Sequence, residues 1–292
     1  MRLIDSHAHL QAEPFDGDRS EVVEAAFRAG VERLLVPGWD AASSARAVLM
    51  ADADERLDAA CGIHPHDAAA ASDADWDEVV RLAQHSRVVA IGETGLDYDR
   101  MHSPREAQLA NLRRHLRLTL DSGKPAILHC RSAAGARDAQ DDLMAELRAA
   151  GFGGAASRAA FGNGPPAVLH SFSGPVDYAR AALEMGLAVS FSGLVFRRGE
   201  ESSAEVARLV PGERLLIETD SPYLAAPGVP RHSGPGFSGR RNSPEWVRLT
   251  GEWLCEQREA SADSIWAGLV AAYDATFRAT PRRLPAAQEN DP

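Results

Sequence analysis

Cysteine is scarce: Cys61, Cys130 and Cys255 are the only three in 292 residues, an odd count with no paired spacing. That excludes a disulfide framework and fits a reducing, cytoplasmic setting. Cys61 and Cys130 end apolar runs and read as small core residues. Lysine is scarcer still, since Lys124 is the only one among 31 basic residues. No apolar run approaches the roughly 18 residues of a membrane span. The opening Met1-Arg2-Leu3-Ile4-Asp5 holds nothing like the apolar centre of a signal peptide. A soluble, unexported chain without a membrane partner is the expectation. Excess positive charge is also missing. A net charge of −11 disfavours broad electrostatic coating of nucleic acid. It leaves room for an enzyme that grips one or two phosphates through metals and a local basic rim.

What is present is an alternation of short β-rich runs and longer helical patterns. Candidate strands are Arg2–Asp5, Arg33–Val36, Leu57–Cys61, Val88–Gly92, Ala126–His129, Ala167–His170, Ala188–Phe191 and Leu215–Glu218. Several are unbroken apolar runs, as strands buried on both faces are. Between them lie amphipathic stretches such as Arg19–Arg28, Pro104–Asp121 and Pro175–Met185; the second carries Leu109, Leu112, Leu116 and Leu120 on one face. No glycine-rich phosphate loop follows an early strand, which removes an open doubly wound sheet. The remaining solution is α/β, a single-domain (β/α)8 TIM barrel over 1–280. Gly151–Pro166 reads as a surface insertion and 281–292 as a flexible tail.

In such a barrel the chemistry sits at the carboxyl ends of the strands. His7 and His9 follow the first strand, Glu93 follows the fourth, His129 and His170 close the fifth and sixth, and Asp220 lies just past the eighth. Any one of them is unremarkable alone, because a histidine at a strand end is usually a satisfied core residue. Their convergence on one rim makes coincidence a poor account, and the set reads as metal ligands. Imidazole and carboxylate together suit Zn, Mn, Fe or Co, while Mg prefers oxygen. The His-x-His pair points both rings to one face of an extended segment, and one carboxylate such as Glu93 can bridge two ions about 3.5–4 Å apart.

The stretches around these positions resemble the TatD family of metal-dependent deoxyribonucleases, within the amidohydrolase-like barrels. They are Asp5-Ser6-His7-Ala8-His9-Leu10, Gly62-Ile63-His64-Pro65, Gly92-Glu93-Thr94-Gly95-Leu96-Asp97-Tyr98, His129-Cys130-Arg131, His170-Ser171-Phe172-Ser173-Gly174, Glu218-Thr219-Asp220-Ser221-Pro222-Tyr223-Leu224 and Arg241-Asn242-Ser243-Pro244. The resemblance implies two divalent ions (Mg, Mn or Zn), one held by His7, His9, Glu93 and Asp220 and the other by Glu93, His129 and His170. It further implies cleavage of DNA phosphodiesters, often from a 3′ end, with single-stranded DNA or 3′ ends as the expected substrate. Some barrel relatives bridge their ions with a carbamylated lysine. Lys124 lies before strand five, roughly 16 Å from His129 along an extended chain, and cannot serve.

The expected reaction is phosphodiester hydrolysis by a metal-bound hydroxide, with Asp220 as general base and Glu93 bridging. Candidate substrate contacts are His64, Arg131 and Tyr98, together with Arg231, Arg240 and Arg241 on a flexible basic lip, Pro230–Arg241. Asp97 and Tyr98 can also be supports for Glu93. His66 is ambiguous, and His85, His102, His115 and His232 read as surface or packing residues. No protein partner is evident, and a monomer or small homo-oligomer is expected. The rival readings are an amide or ester hydrolase on the same site, such as a D-aminoacyl-tRNA deacylase, and a non-enzymatic binding barrel. The second is disfavoured because every ligand-type residue is present.

Overall fold

A computed structural model describes residues 2–234 and 237–278. Eight strands run in chain order: β1 Leu3–Asp5, β2 Val31–Pro37, β3 Leu57–Cys61, β4 Val88–Asp97, β5 Ala126–Arg131, β6 Ala167–Leu169, β7 Ala188–Phe191 and β8 Leu215–Ile217. Each lies parallel to the next, in the order β1 to β8. The seam between β8 and β1 is joined by the Ser6 N–H on the Ile217 carbonyl at 3.0 Å and the Asp220 N–H on the His7 carbonyl at 2.9 Å. This is the (β/α)8 barrel that the alternation implies. Leu34, Leu35, Ala60, Ile91 and Leu128 are fully buried, as residues between barrel interior and helices must be.

The surrounding helices are α1 Arg19–Arg28, α2 Ala41–Ala53, α3 Asp73–Leu82, α4 Arg105–Ser122, α5 Asp138–Ala150, α6 Ala155–Phe161, α7 Val176–Glu184, α8 Ser202–Leu209, α9 Val247–Arg258 and α10 Ala262–Tyr273. α2 and α3 each start on a reciprocal capping box, Asp40 with Ser43 and Ser72 with Asp75. On α4 the leucine stripe faces the barrel, with Leu112 and Leu116 fully buried.

One expectation changes and two gain detail. β4 extends to Asp97 rather than stopping at Gly92, because a bulge interrupts its pairing and the strand then resumes. Ile91 pairs with Ala126 and Thr94 with Leu128, so residues 91 to 94 answer only 126 to 128. An extra residue of this kind re-aims a side chain next to a site, and here it turns Glu93 inward. Gly92 permits the kink: its φ is +145°, and a Cβ there would lie 2.7 Å from the Ile127 carbonyl oxygen. Second, Gly151–Pro166 is no bare loop. Its alanines form α6, which buries Ser157 and Ala160 and lies beside α4. Third, Pro230–Arg241 contains an antiparallel hairpin, β9 His232–Gly234 and β10 Phe237–Gly239. The 281–292 tail lies outside the described residues.

One helix histidine positions a site loop. His115 on α4 is fully buried; its Nε2 accepts the Ile63 N–H at 3.0 Å and its Nδ1 donates to the Asn111 carbonyl at 2.7 Å. Asn111 in turn donates to the Ile63 carbonyl at 2.7 Å, so α4 clamps both backbone groups of the residue before His64. Burial pushes the His115 pKa down to about 3. The unfolded chain therefore takes up a proton below the ordinary value of about 6.5, while the folded one stays neutral until about pH 3. Between those values the unfolded state binds more protons, so stability falls as pH falls. From pH 7 to 5 this group alone should cost about 2 kcal/mol. Urea unfolding at both pH values should show the wild-type advantage over His115→Gln shrinking by about that amount at pH 5. An unchanged gap would contradict the neutral, buried state.

Candidate metal centre

β1 and β8 deliver the first group of candidate ligands. The chain past β1 continues extended beside Asp220 and Ser221, with Ala8 bridging to Ser221 and the His9 N–H on the Ser221 carbonyl at 2.8 Å. His7 and His9 thus turn to the same side, their Nε2 atoms 3.2 Å apart. Asp220 has a left-handed backbone, φ +53°, which Asp tolerates better than most residues. Its Oδ1 lies 3.6 Å from His7 Nε2 and 3.3 Å from His9 Nε2. Beneath them the buried Asp5 carboxylate accepts from the Thr219 N–H at 2.9 Å and hydroxyl at 2.6 Å, tying the two strands together. Burial pushes the Asp5 carboxyl up to about 8.

Glu93 stands between this group and a second one. Its Oε2 lies 3.3 Å from His7 Nε2 and 3.6 Å from His9 Nε2. Its Oε1 lies 2.9 Å from His170 Nε2, 3.1 Å from His129 Nδ1 and 3.3 Å from His64 Nε2. One oxygen of a single buried carboxylate thus faces each group. Burial opposes charge on Glu93, but His170, His64 and His7 outweigh it and hold its pKa well below the usual range. Burial likewise opposes charge on Asp220, and His9 and His7 hold it low. The pKa of His9 is raised despite burial because Asp220 and Glu93 face it. Such face-to-face imidazole nitrogens and carboxylates call for a cation between them. Three sets, His7 with His9 and Glu93, His7 with His170 and Asp220, and His64 with Glu93 and His129, each keep their ligand atoms within 4.8 Å of one another. That is close to the span of two opposed bonds of about 2.0–2.3 Å each. The residues fit a metal.

Carboxylates behind the imidazoles set which nitrogen is free. Asp97 Oδ2 accepts from His129 Nε2 at 3.3 Å, leaving the Nδ1 lone pair aimed at the centre. Glu218 Oε1 accepts from His170 Nδ1 at 3.1 Å, leaving Nε2 aimed inward. Asp97 also holds His66 Nε2 at 2.8 Å, and its pKa lies below the carboxylate range although burial opposes this. Replacing Glu218 by Gln, whose amide can turn its NH2 toward His170, should weaken metal binding about 10- to 100-fold. Metal titration followed by calorimetry checks this; unaltered affinity would remove Glu218 from the role.

His64 belongs to a different class. Its Nδ1 accepts the His66 N–H at 3.1 Å, and burial lowers its pKa to about 4. The neutral ring therefore carries its proton on Nε2, the atom facing Glu93. In this tautomer His64 donates into the cleft beside Glu93 and His129, with which it also forms a group close enough to hold a cation.

The cleft above these residues has a volume of about 470 Å³ and is lined also by Trp39, Arg131, Ser171 and Tyr223. Arg131 faces the rim as expected. Tyr98 does not: strand alternation points it away from Glu93 and Asp97, and its hydroxyl donates to Asp142 at 2.8 Å. Arg241 is also committed elsewhere, to Asp18 and the Pro14 carbonyl, with its side chain only 8% exposed. It is a structural anchor on the α1 entry and no part of an open lip. Arg231 and Arg240 are exposed. Trp39, edge-on to His9 at 5.4 Å, also lines the cleft, and so does His102, stacked on His66 at 4.5 Å, against its sequence reading as a surface or packing residue. Lys124 donates to the Ala83 and His85 carbonyls, away from the cleft.

A barrel with this rim defines a metal-dependent hydrolase. The model of the family described as TatD related DNase matches residues 4–278, and the chain belongs to the TatD family. It is 35% identical over 263 residues to an uncharacterized metal-dependent hydrolase, YabD, of Bacillus subtilis, covering 90% of this chain and 94% of that one. It is 32% identical over 277 residues to the 3′-5′ ssDNA/RNA exonuclease TatD of Escherichia coli, covering 90% and 98%. Among solved structures, the TatD homologue YJJV of Escherichia coli superposes with a TM-score of 0.78 at 27% identity, covering 96% and 99%.

Proposed function

We propose that the chain is a two-ion phosphodiesterase that trims DNA from a single-stranded 3′ end. The observation that carries this reading is the split carboxylate of Glu93, with Oε2 toward His7 and His9 and Oε1 toward His129 and His170. Glu93, His7, His9 and Asp220 would hold one ion; Glu93, His129 and His170 the other. The mixed nitrogen and oxygen set suits Mn or Zn better than Mg. Bound there, divalent ions acidify water, orient a phosphate and neutralise the charge of its transition state. Asp220 takes the proton of the attacking water: its side chain is 14% exposed against 3% for Glu93, so it is the carboxylate open to the cleft. The His64 Nε2–H and the Arg131 guanidinium bind the phosphate oxygens, Arg131 in bidentate fashion. The relatives named as 3′-5′ ssDNA/RNA exonucleases support a nucleic-acid substrate. Three free cysteines fit action in the cytoplasm.

The test is side-by-side assay of chelated and then re-metallated protein on a 3′-ended DNA oligonucleotide and a D-aminoacyl ester. Loss on chelation and return with Mn or Zn are expected for the oligonucleotide, with shortening from the 3′ end. Hydrolysis of the ester with an intact oligonucleotide would overturn the nuclease reading.

A further inference from the structure

A second cavity of about 470 Å³ opens beside the metal cleft, with Phe196, Arg197, Tyr223, Leu224 and Arg240 in its lining. Tyr223 and Leu224 line both cavities and so form their common wall. That wall is firmly seated. The loop after β7 and the loop after β8 meet where a Cβ on Gly193 would lie 1.9 Å from the Leu224 carbonyl oxygen. Tyr223 crowns it, 52% exposed, with its ring 5.9 Å from that of His9.

The chemistry of the second cavity runs against the net charge of the chain. The chain carries a net charge of −11, yet this lining has two arginines and, among the described residues, no carboxylate. The arginines stand with two aromatic rings. Guanidinium beside aromatic surface is the combination that holds a nucleotide of a single strand: the base stacks and the phosphate pairs.

We propose that this cavity seats the nucleotide one step beyond the pair flanking the cut, its base against Tyr223 and Phe196 and its phosphate on Arg197 and Arg240. The ligand class rests on the nuclease reading above. A base inside a duplex has both faces covered by its neighbours and cannot stack here, so the site selects single strands. Every base has a stackable face, so the site confers a preference for length and not for sequence.

A dinucleotide contains only the bond to be cut, whereas a trinucleotide also reaches the second cavity. Wild-type holoenzyme should therefore show a higher kcat/KM on the trinucleotide. In Arg197→Ala and Phe196→Ala, the trinucleotide-to-dinucleotide ratio of kcat/KM should fall about tenfold, the size of one base-stacking or phosphate contact. Arg197→Lys should recover part of it, and the wild-type ratio should shrink as salt is raised. A wild type without length preference, or variants that keep it, would overturn the second site while leaving the nuclease reading intact. A wild type that cleaves neither oligonucleotide overturns that reading, and the second site with it.

Discussion

Alanine at Glu93 should reduce hydrolysis by at least about 10³-fold, a barrier increase of roughly 4 kcal/mol. The size follows from position. Removing His9 or His170 strips a ligand from one group, but removing Glu93 takes an oxygen from both, 2.9 Å from His170 and 3.3 Å from His7. The variant should still fold, since the imidazoles left without Glu93 can shed their protons at neutral pH and Glu93 adds little to the apolar packing. The two effects separate in one experiment. Metal at 100 times its dissociation constant should stabilise the wild type by about 2.7 kcal/mol per site. Glu93→Ala should show no such gain at the same concentration, while its metal-free unfolding remains cooperative. A variant that melts normally and still gains the full metal increment would mean that Glu93 is not the shared ligand.

The strand–helix alternation and the six rim residues were legible because both follow from periodicity: apolar runs mark strands, and strand ends mark the site. The same rule reaches Trp39, two residues past the end of β2, yet aromatic residues on a pattern default to packing and it is easily passed over. Asp97 and Glu218 were visible as motif residues, but their task was not. Sequence spacing says which residue types share a rim and cannot say which imidazole nitrogen a carboxylate holds. The tautomer of His64 is hidden for the same reason, because it depends on a backbone N–H from His66. The β4 bulge escaped because Gly92 reads as a strand terminator when its partner Ile127 is not in view. Local charge assigns Arg241 to the basic lip, whereas its partner Asp18 lies 223 residues away in sequence.

Asparagine at Asp220 should lower kcat about 10²- to 10⁴-fold at saturating metal, the range of a lost general base. The substitution keeps the shape and an oxygen at the position 3.3 Å from His9, so metal binding should weaken far less than catalysis. It removes proton-accepting capacity: the native carboxylate stays ionised because His9 and His7 hold its pKa low, and an amide has no basic oxygen. The distinction from a purely structural ligand is kinetic. If Asp220 only held metal, excess metal would restore kcat in the variant. If it takes the proton, kcat stays low while KM for the oligonucleotide is little changed, because the phosphate contacts proposed for His64 and Arg131 would be untouched. Recovery of the wild-type rate by raising metal alone would assign the proton to another group, and the remaining carboxylate in reach of both ligand groups is Glu93.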